Sequence, residues 1–105
     1  MERKEDGAML NKENIDLCWQ VLSKYGIKHQ MNMVIEECSE LQKSLCKVFR
    51  SDFDISTMPN FHEELVDTIV MCEQMLLAEN ISMDEVNAMA KVKLERALHG
   101  DDRKC

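Results

Sequence analysis

This sequence predicts an all-α fold, four helices packed as one bundle, and three observations predict it. Only three Gly and one Pro interrupt 105 residues, and strong helix formers dominate the rest. Apolar residues recur at three- and four-residue spacing over most of the chain. Helix start and stop signals then divide that periodic sequence into four segments. A chain of this length supports one core and not two, so residues 1–105 form a single domain. The charged ends, 1–10 and 101–105, are expected to be flexible tails.

The first helix starts at Asn11 or Asn14, either of which has the short side chain a cap needs. Ile15, Cys18, Trp19 and Leu22 then recur at i, i+3, i+4 and i+7, and Gly26 stops the run. Trp19 at an apolar position is read as core, with contact to a base or sugar as the alternative. A second helix runs from about Lys28 to Arg50, its stripe formed by Val34, Leu41, Leu45, Val48 and Phe49. The segment "SDFDISTMP" (51–59) breaks the periodicity, and Pro59 prevents simple continuation.

"NFHE" (60–63) reads as an N-cap followed by Glu at the third helical position, opening a third helix that reaches about Glu79. On a helical wheel this segment has two apolar faces, Phe61/Leu65/Ile69/Cys72/Leu76 and Val66/Val70/Leu77, with Glu64, Asp67, Met71 and Gln74 on the remaining side. One apolar stripe is enough for an ordinary surface helix. Two call for burial inside the bundle and against a second subunit. "SMDE" (82–85) is another capping box and opens the last helix, which ends near Gly100.

The net charge of −7 argues against nucleic-acid polymers and anionic membranes, both of which call for basic surface. Five cysteines, an odd number with no CxxC pair, are read as reduced thiols of a cytoplasmic protein. Cys18, Cys38 and Cys72 sit beside apolar stripes as small hydrophobes. Met31, Met33, Met71, Met75 and Met89 are read as adaptable core or interface filler.

Chemistry concentrates in the acids. Glu37 and Glu40 lie three apart on the second helix, and Glu64 and Asp67 repeat that spacing on the third. Either pair alone is well explained as a solvated helix face. Two matched pairs beside apolar residues, on helices joined by one loop, can bring four carboxylates together. Such a cluster needs protons or a cation, and all-oxygen ligands favour a hard ion such as Mg²⁺ or Mn²⁺. A di-iron bundle needs Glu-x-x-His on two helices; Glu40 and Asp67 stand where those histidines would be.

"EECSE" (36–40), followed after 23 residues by "ELVD" (64–67), resembles the EExxE…ExxD signature of the MazG-like all-α nucleoside triphosphate pyrophosphohydrolases. "YGIKHQMNMVIEECSELQKSLCKVFR" (25–50) resembles the small bacterial and phage members, with YG, a Gln before the acids and K-x-x-R after them. "KLERAL" (93–98) resembles their K-x-x-R-L segment, with Ala97 intervening before Leu98. The likeness spans about residues 18–98. It implies hydrolysis of a nucleoside triphosphate between the α- and β-phosphates, to a monophosphate and pyrophosphate, with Mg²⁺ as cofactor and Mn²⁺ as an alternative. It also implies a homodimer or homotetramer, with the bundle completed by oligomerisation.

Carried over by residue, Glu37, Glu40, Glu64 and Asp67 would ligate metal, and Glu36 would be the base or a supporting carboxylate. Lys47, Arg50, Lys93 and Arg96 would contact phosphates, and Gln30 the nucleoside. Lys47 and Arg50 equally suit the C-terminal end of a helix, where cations complement its dipole; Lys93 and Arg96 also suit a solvated face. The competing expectation is a catalytically silent bundle that binds nucleotide or a partner chain on the same scaffold.

Overall fold

The computed structural model describes residues 9–100. The expected tails and Cys105 therefore fall almost wholly outside the described residues. Four helices follow in order: α1 (Lys12–Tyr25), α2 (Ile27–Arg50), α3 (Met58–Ala78) and α4 (Met83–Leu98), with a short 3-10 turn at Ile55–Thr57. Among the described residues there is no strand, and no helix is long and apolar enough to cross a membrane.

Local chemistry sets most boundaries. Asn11 caps α1, its side-chain oxygen accepting from the Asn14 backbone N–H at 2.9 Å. Gly26 alone separates α1 from α2 at φ +84°, a conformation that costs a residue with a Cβ more than it costs glycine. At the far end Ser82 Oγ accepts from Glu85 N–H at 3.1 Å, so the second capping box holds as read. The first does not. α3 begins at Met58, with Pro59 in its opening turn and Asn60 already helical. Proline is pre-set for that turn and has no N–H to leave unpaired. The chain enters α3 through the 3-10 turn, where Asp54 accepts from Ser56 N–H at 3.0 Å.

α2 and α3 form the main interface, and α1 lies across the C-terminal half of α3. Ile15 and Cys18 of α1 close on Leu77 of α3, with Leu10 and Leu22 packed against them. Trp19 is more than a third exposed, so it is not core. Cys18 is buried, Cys38 half-buried, and Cys46 and Cys72 are exposed; none of these four is in a disulfide. Burial, and then the neighbouring Cys38, push the Cys72 thiol up from its ordinary value.

The orientation of α3 departs from the wheel. Met71 and Gln74 are buried and belong to the side that carries Glu64 and Asp67, which faces α2. Of the two apolar faces, Leu77 packs under α1 while Leu65 and Val66 are left exposed. The bundle is also incomplete. Among the described residues no Cα of α4 lies within 8 Å of a Cα in another helix, and α4 contributes no buried residue.

Candidate metal centre and its flanking groove

Three cross-contacts fix the pairing of α2 with α3. Gln30 Nε2 donates to Gln74 Oε1 at 2.8 Å in the interior. Met33 and Met71 line one hollow, and Glu37 meets Glu64 and Asp67. Partner numbers fall along α3 as they rise along α2, so the helices run antiparallel. The i, i+3 acids therefore converge instead of passing one another.

The convergence is close. Glu37, Glu64 and Asp67 each offer a carboxylate oxygen, and the three oxygens lie within 4.8 Å of one another on half-buried residues. Glu37 and Asp67 open into a hollow of about 270 Å³ walled by Met33, Val70 and Met71. Glu37 is pushed above the ordinary carboxylate range, first by burial and then by the charges of Asp67 and Glu64. A hydrogen bond with Asp67 and the charge of Glu40 add to the effect. Glu64 is raised for like reasons: burial first, then Asp67, Glu40 and Glu63. The cluster is thus under mutual repulsion that a proton or a cation relieves.

The donor set suits a hard divalent cation. Ligands opposite one another around Mg²⁺ stand about 4.2 Å apart, twice a metal–oxygen distance of about 2.1 Å. The three oxygens, all within 4.8 Å of one another, are close enough together to share such an ion. Glu40 is not in the triad itself. It stands one turn along α2, close enough to act on both Glu37 and Glu64, and pairs with Lys43 at 3.3 Å. Glu36 is exposed and points about 100° around the helix from Glu37.

Beyond Glu40 the same helix turns basic. Glu40, Lys43, Lys47 and Arg50 line one groove of about 490 Å³, with Ser39 and Asn60 on its walls. Their spacing of three, four and three residues puts them along one stripe. Lys43 belongs to that stripe and was not among the residues expected to bind phosphate; the spacing alone could have found it.

Two expected contacts are not brought to the triad. Gln30 is buried with both ends of its amide engaged: Nε2 with Gln74, and Oε1 with His29 Nδ1 at 2.7 Å. It acts as a clasp between α2 and α3, two turns from Glu37. Lys93 and Arg96 are exposed on α4, which stands off from α2 and α3. Within one chain the phosphate-binding candidates beside the acids are Lys43, Lys47 and Arg50.

Comparison of the chain with protein-family models, curated proteins and solved structures finds no match in any of the three.

Proposed function

We propose that this protein is a Mg²⁺-dependent, MazG-like nucleoside triphosphate pyrophosphohydrolase that cleaves between the α- and β-phosphates. The observation that carries the reading is the meeting of Glu37, Glu64 and Asp67 within 4.8 Å, with Glu40 one turn away. The ordered EExxE…ExxD motif supports the same chemistry. When bound, Mg²⁺ (or Mn²⁺) would neutralise phosphate charge and lower the pKa of a water ligand.

The chain's own residues would do the rest. Glu37, Glu64, Asp67 and Glu40 hold the ion's position, and their convergence excludes a bare phosphate unless a cation intervenes. Lys47 and Arg50, with Lys43, bind phosphate oxygens along the α2 groove, so the triphosphate lies along that helix from its acidic to its basic section. Glu36, which the resemblance makes the base or a supporting carboxylate, faces solvent about 100° around α2 from Glu37, and supporting the ligands' orientation is the role that position suits.

Oligomerisation is part of this reading, supported by the apolar side chains that α3 leaves exposed and by α4 standing off from the other helices. A second reading, a catalytically silent bundle that binds a partner, draws on those same exposed side chains. Pyrophosphate release separates the two. Assayed over a panel of nucleoside triphosphates, the protein should release pyrophosphate with Mg²⁺ and not with EDTA. Glu37→Gln should abolish release while far-UV circular dichroism stays unchanged. Full activity in that variant would overturn the metal assignment, and no release from any nucleotide would favour the silent bundle.

A further inference from the structure

We infer that the open groove between α1 and α3 is a nucleobase subsite, and that Gln74 at its wall selects bases with a keto group over those with an amino group at the same position. The subsite rests on the pyrophosphohydrolase reading for the placement of the phosphates. The selectivity comes from a hydrogen-bonded relay that the reaction itself does not use.

Position along the site comes first. The nucleoside and the pyrophosphate hang from the α-phosphorus by separate bonds, so they occupy different parts of the site. Lys43, Lys47 and Arg50 take the pyrophosphate part on the C-terminal side of Glu40. On the other side of the triad lies the hollow of Met33, Val70 and Met71. Val70 also walls the groove formed with Leu17, Val21 and Val66, so hollow and groove adjoin. A nucleotide with its α-phosphate at the acids therefore has this groove for its base.

The lining suits a base. The groove encloses about 280 Å³, and its apolar walls, with Leu17 and Val66 exposed, offer flat cover to a ring. Small-molecule sites are mostly apolar, with a few fixed polar groups that set orientation. Here that group is Gln74. It lines the groove while only 3% exposed, and its Nε2 makes no hydrogen bond among the described residues.

The relay fixes which end of that amide faces the ligand. Gln30 Nε2 donates to Gln74 Oε1 at 2.8 Å. Gln30 Oε1, at 2.7 Å from His29 Nδ1, can only accept, so His29 donates there. With Oε1 of Gln74 turned back to α2, the end left for the groove is the Nε2 donor. Uracil, thymine and guanine present a carbonyl acceptor where cytosine and adenine present an amino donor. A keto base pairs with Nε2; an amino base sets donor against donor and leaves a buried N–H unsatisfied. Gln30 and His29 are positioning residues, and Gln74 is the one that touches the base.

The test is calorimetric binding of α,β-methylene triphosphate analogues to the full chain with Mg²⁺, which needs no turnover. Uracil should bind about tenfold or more tighter than cytosine, and hypoxanthine than adenine by a similar factor. The double variant Gln30→Leu/Gln74→Leu should lose that preference, whereas a merely structural pair would weaken all four analogues alike. Leu17→Trp, filling the groove, should weaken every analogue about tenfold and leave Mg²⁺-dependent binding of inorganic pyrophosphate unchanged. Equal affinities within each pair in the wild type overturn the inference even if both variants misfold. So do absence of binding by all four analogues, a preference that survives in the folded double variant, or a folded Leu17→Trp chain that binds like the wild type. Pyrophosphate release without base preference would sink this inference and leave the proposed function standing; keto-selective binding without release would do the reverse.

Discussion

Neutralising Asp67 should stabilise the metal-free protein while making it blind to magnesium. In Asp67→Asn the amide keeps the shape of the carboxylate and can donate to Glu37, but one negative charge leaves the cluster. With their oxygens no farther than 4.8 Å apart, the repulsion between Glu37 and Asp67 is at least about 0.9 kcal/mol in a water-like medium. That is the appropriate limit for groups this close to solvent, and salt lowers it further. For a domain of this size 1 kcal/mol moves Tm by about 4–8 °C, so the variant should melt about 4 °C above wild type in EDTA. Wild type with Mg²⁺ at ten times its Kd gains about 1.4 kcal/mol and should melt highest. Thermal melts of both proteins, with EDTA and with Mg²⁺, should therefore rank wild type in Mg²⁺ first, the variant in either buffer second and wild type in EDTA last. The reasoning is refuted if the variant melts below wild type in EDTA, or if Mg²⁺ raises its Tm as much as it raises that of wild type.

Other expectations follow from the same contacts. Glu37 and Glu64 bind protons more tightly folded than unfolded. Their contribution to stability is thus fully present below the ordinary carboxylate value of 4.5 and is lost as pH rises through the raised values. Tm in EDTA should fall across that window, and stabilisation by Mg²⁺ should be absent near pH 4 and present near about pH 7.5, since metal competes with the protons; melts across pH with and without metal check both. Gln30→Ala leaves buried Gln74 without its donor and should cost about 1–3 kcal/mol in chemical denaturation, whereas replacing both glutamines by leucine should cost much less. Lys47→Met or Arg50→Met removes a charged partner worth about 1.5–3 kcal/mol, so each should weaken nucleotide binding about tenfold or more by titration calorimetry.

The sequence disclosed most where the cause was local. Asn11, Gly26 and Ser82 act within one turn of themselves, and each marks the helix boundary it predicted. The i, i+3 spacing of Glu64 and Asp67, and Glu37 on the joined helix, needed only the antiparallel return through the 51–57 segment to become a cluster. The NFHE box misled because Pro59 suits the opening turn of a helix, so α3 already runs from Met58 before Asn60 could cap it.

Long-range partners accounted for the rest. The wheel placed Glu64, Asp67 and Gln74 away from the two apolar faces of α3, and a rule that buries apolar residues would leave that side in water. It lies against α2, where Gln30 supplies a buried hydrogen bond to Gln74 and Met71 is buried, and the acids meet there against their mutual repulsion. Nor does any feature of α4's own sequence say that its apolar residues lack a seat within the chain. Amphipathicity requires a partner surface without naming it.

The central claim, that the α2/α3 acids serve hydrolysis of a nucleotide between its α- and β-phosphates, is most directly tested by ³¹P NMR of a reaction mixture containing Mg²⁺ and a nucleoside triphosphate that the protein turns over. The prediction is paired growth of monophosphate and pyrophosphate resonances, abolished in Glu37→Gln. Diphosphate with orthophosphate as products, or undiminished turnover by that variant, would contradict it.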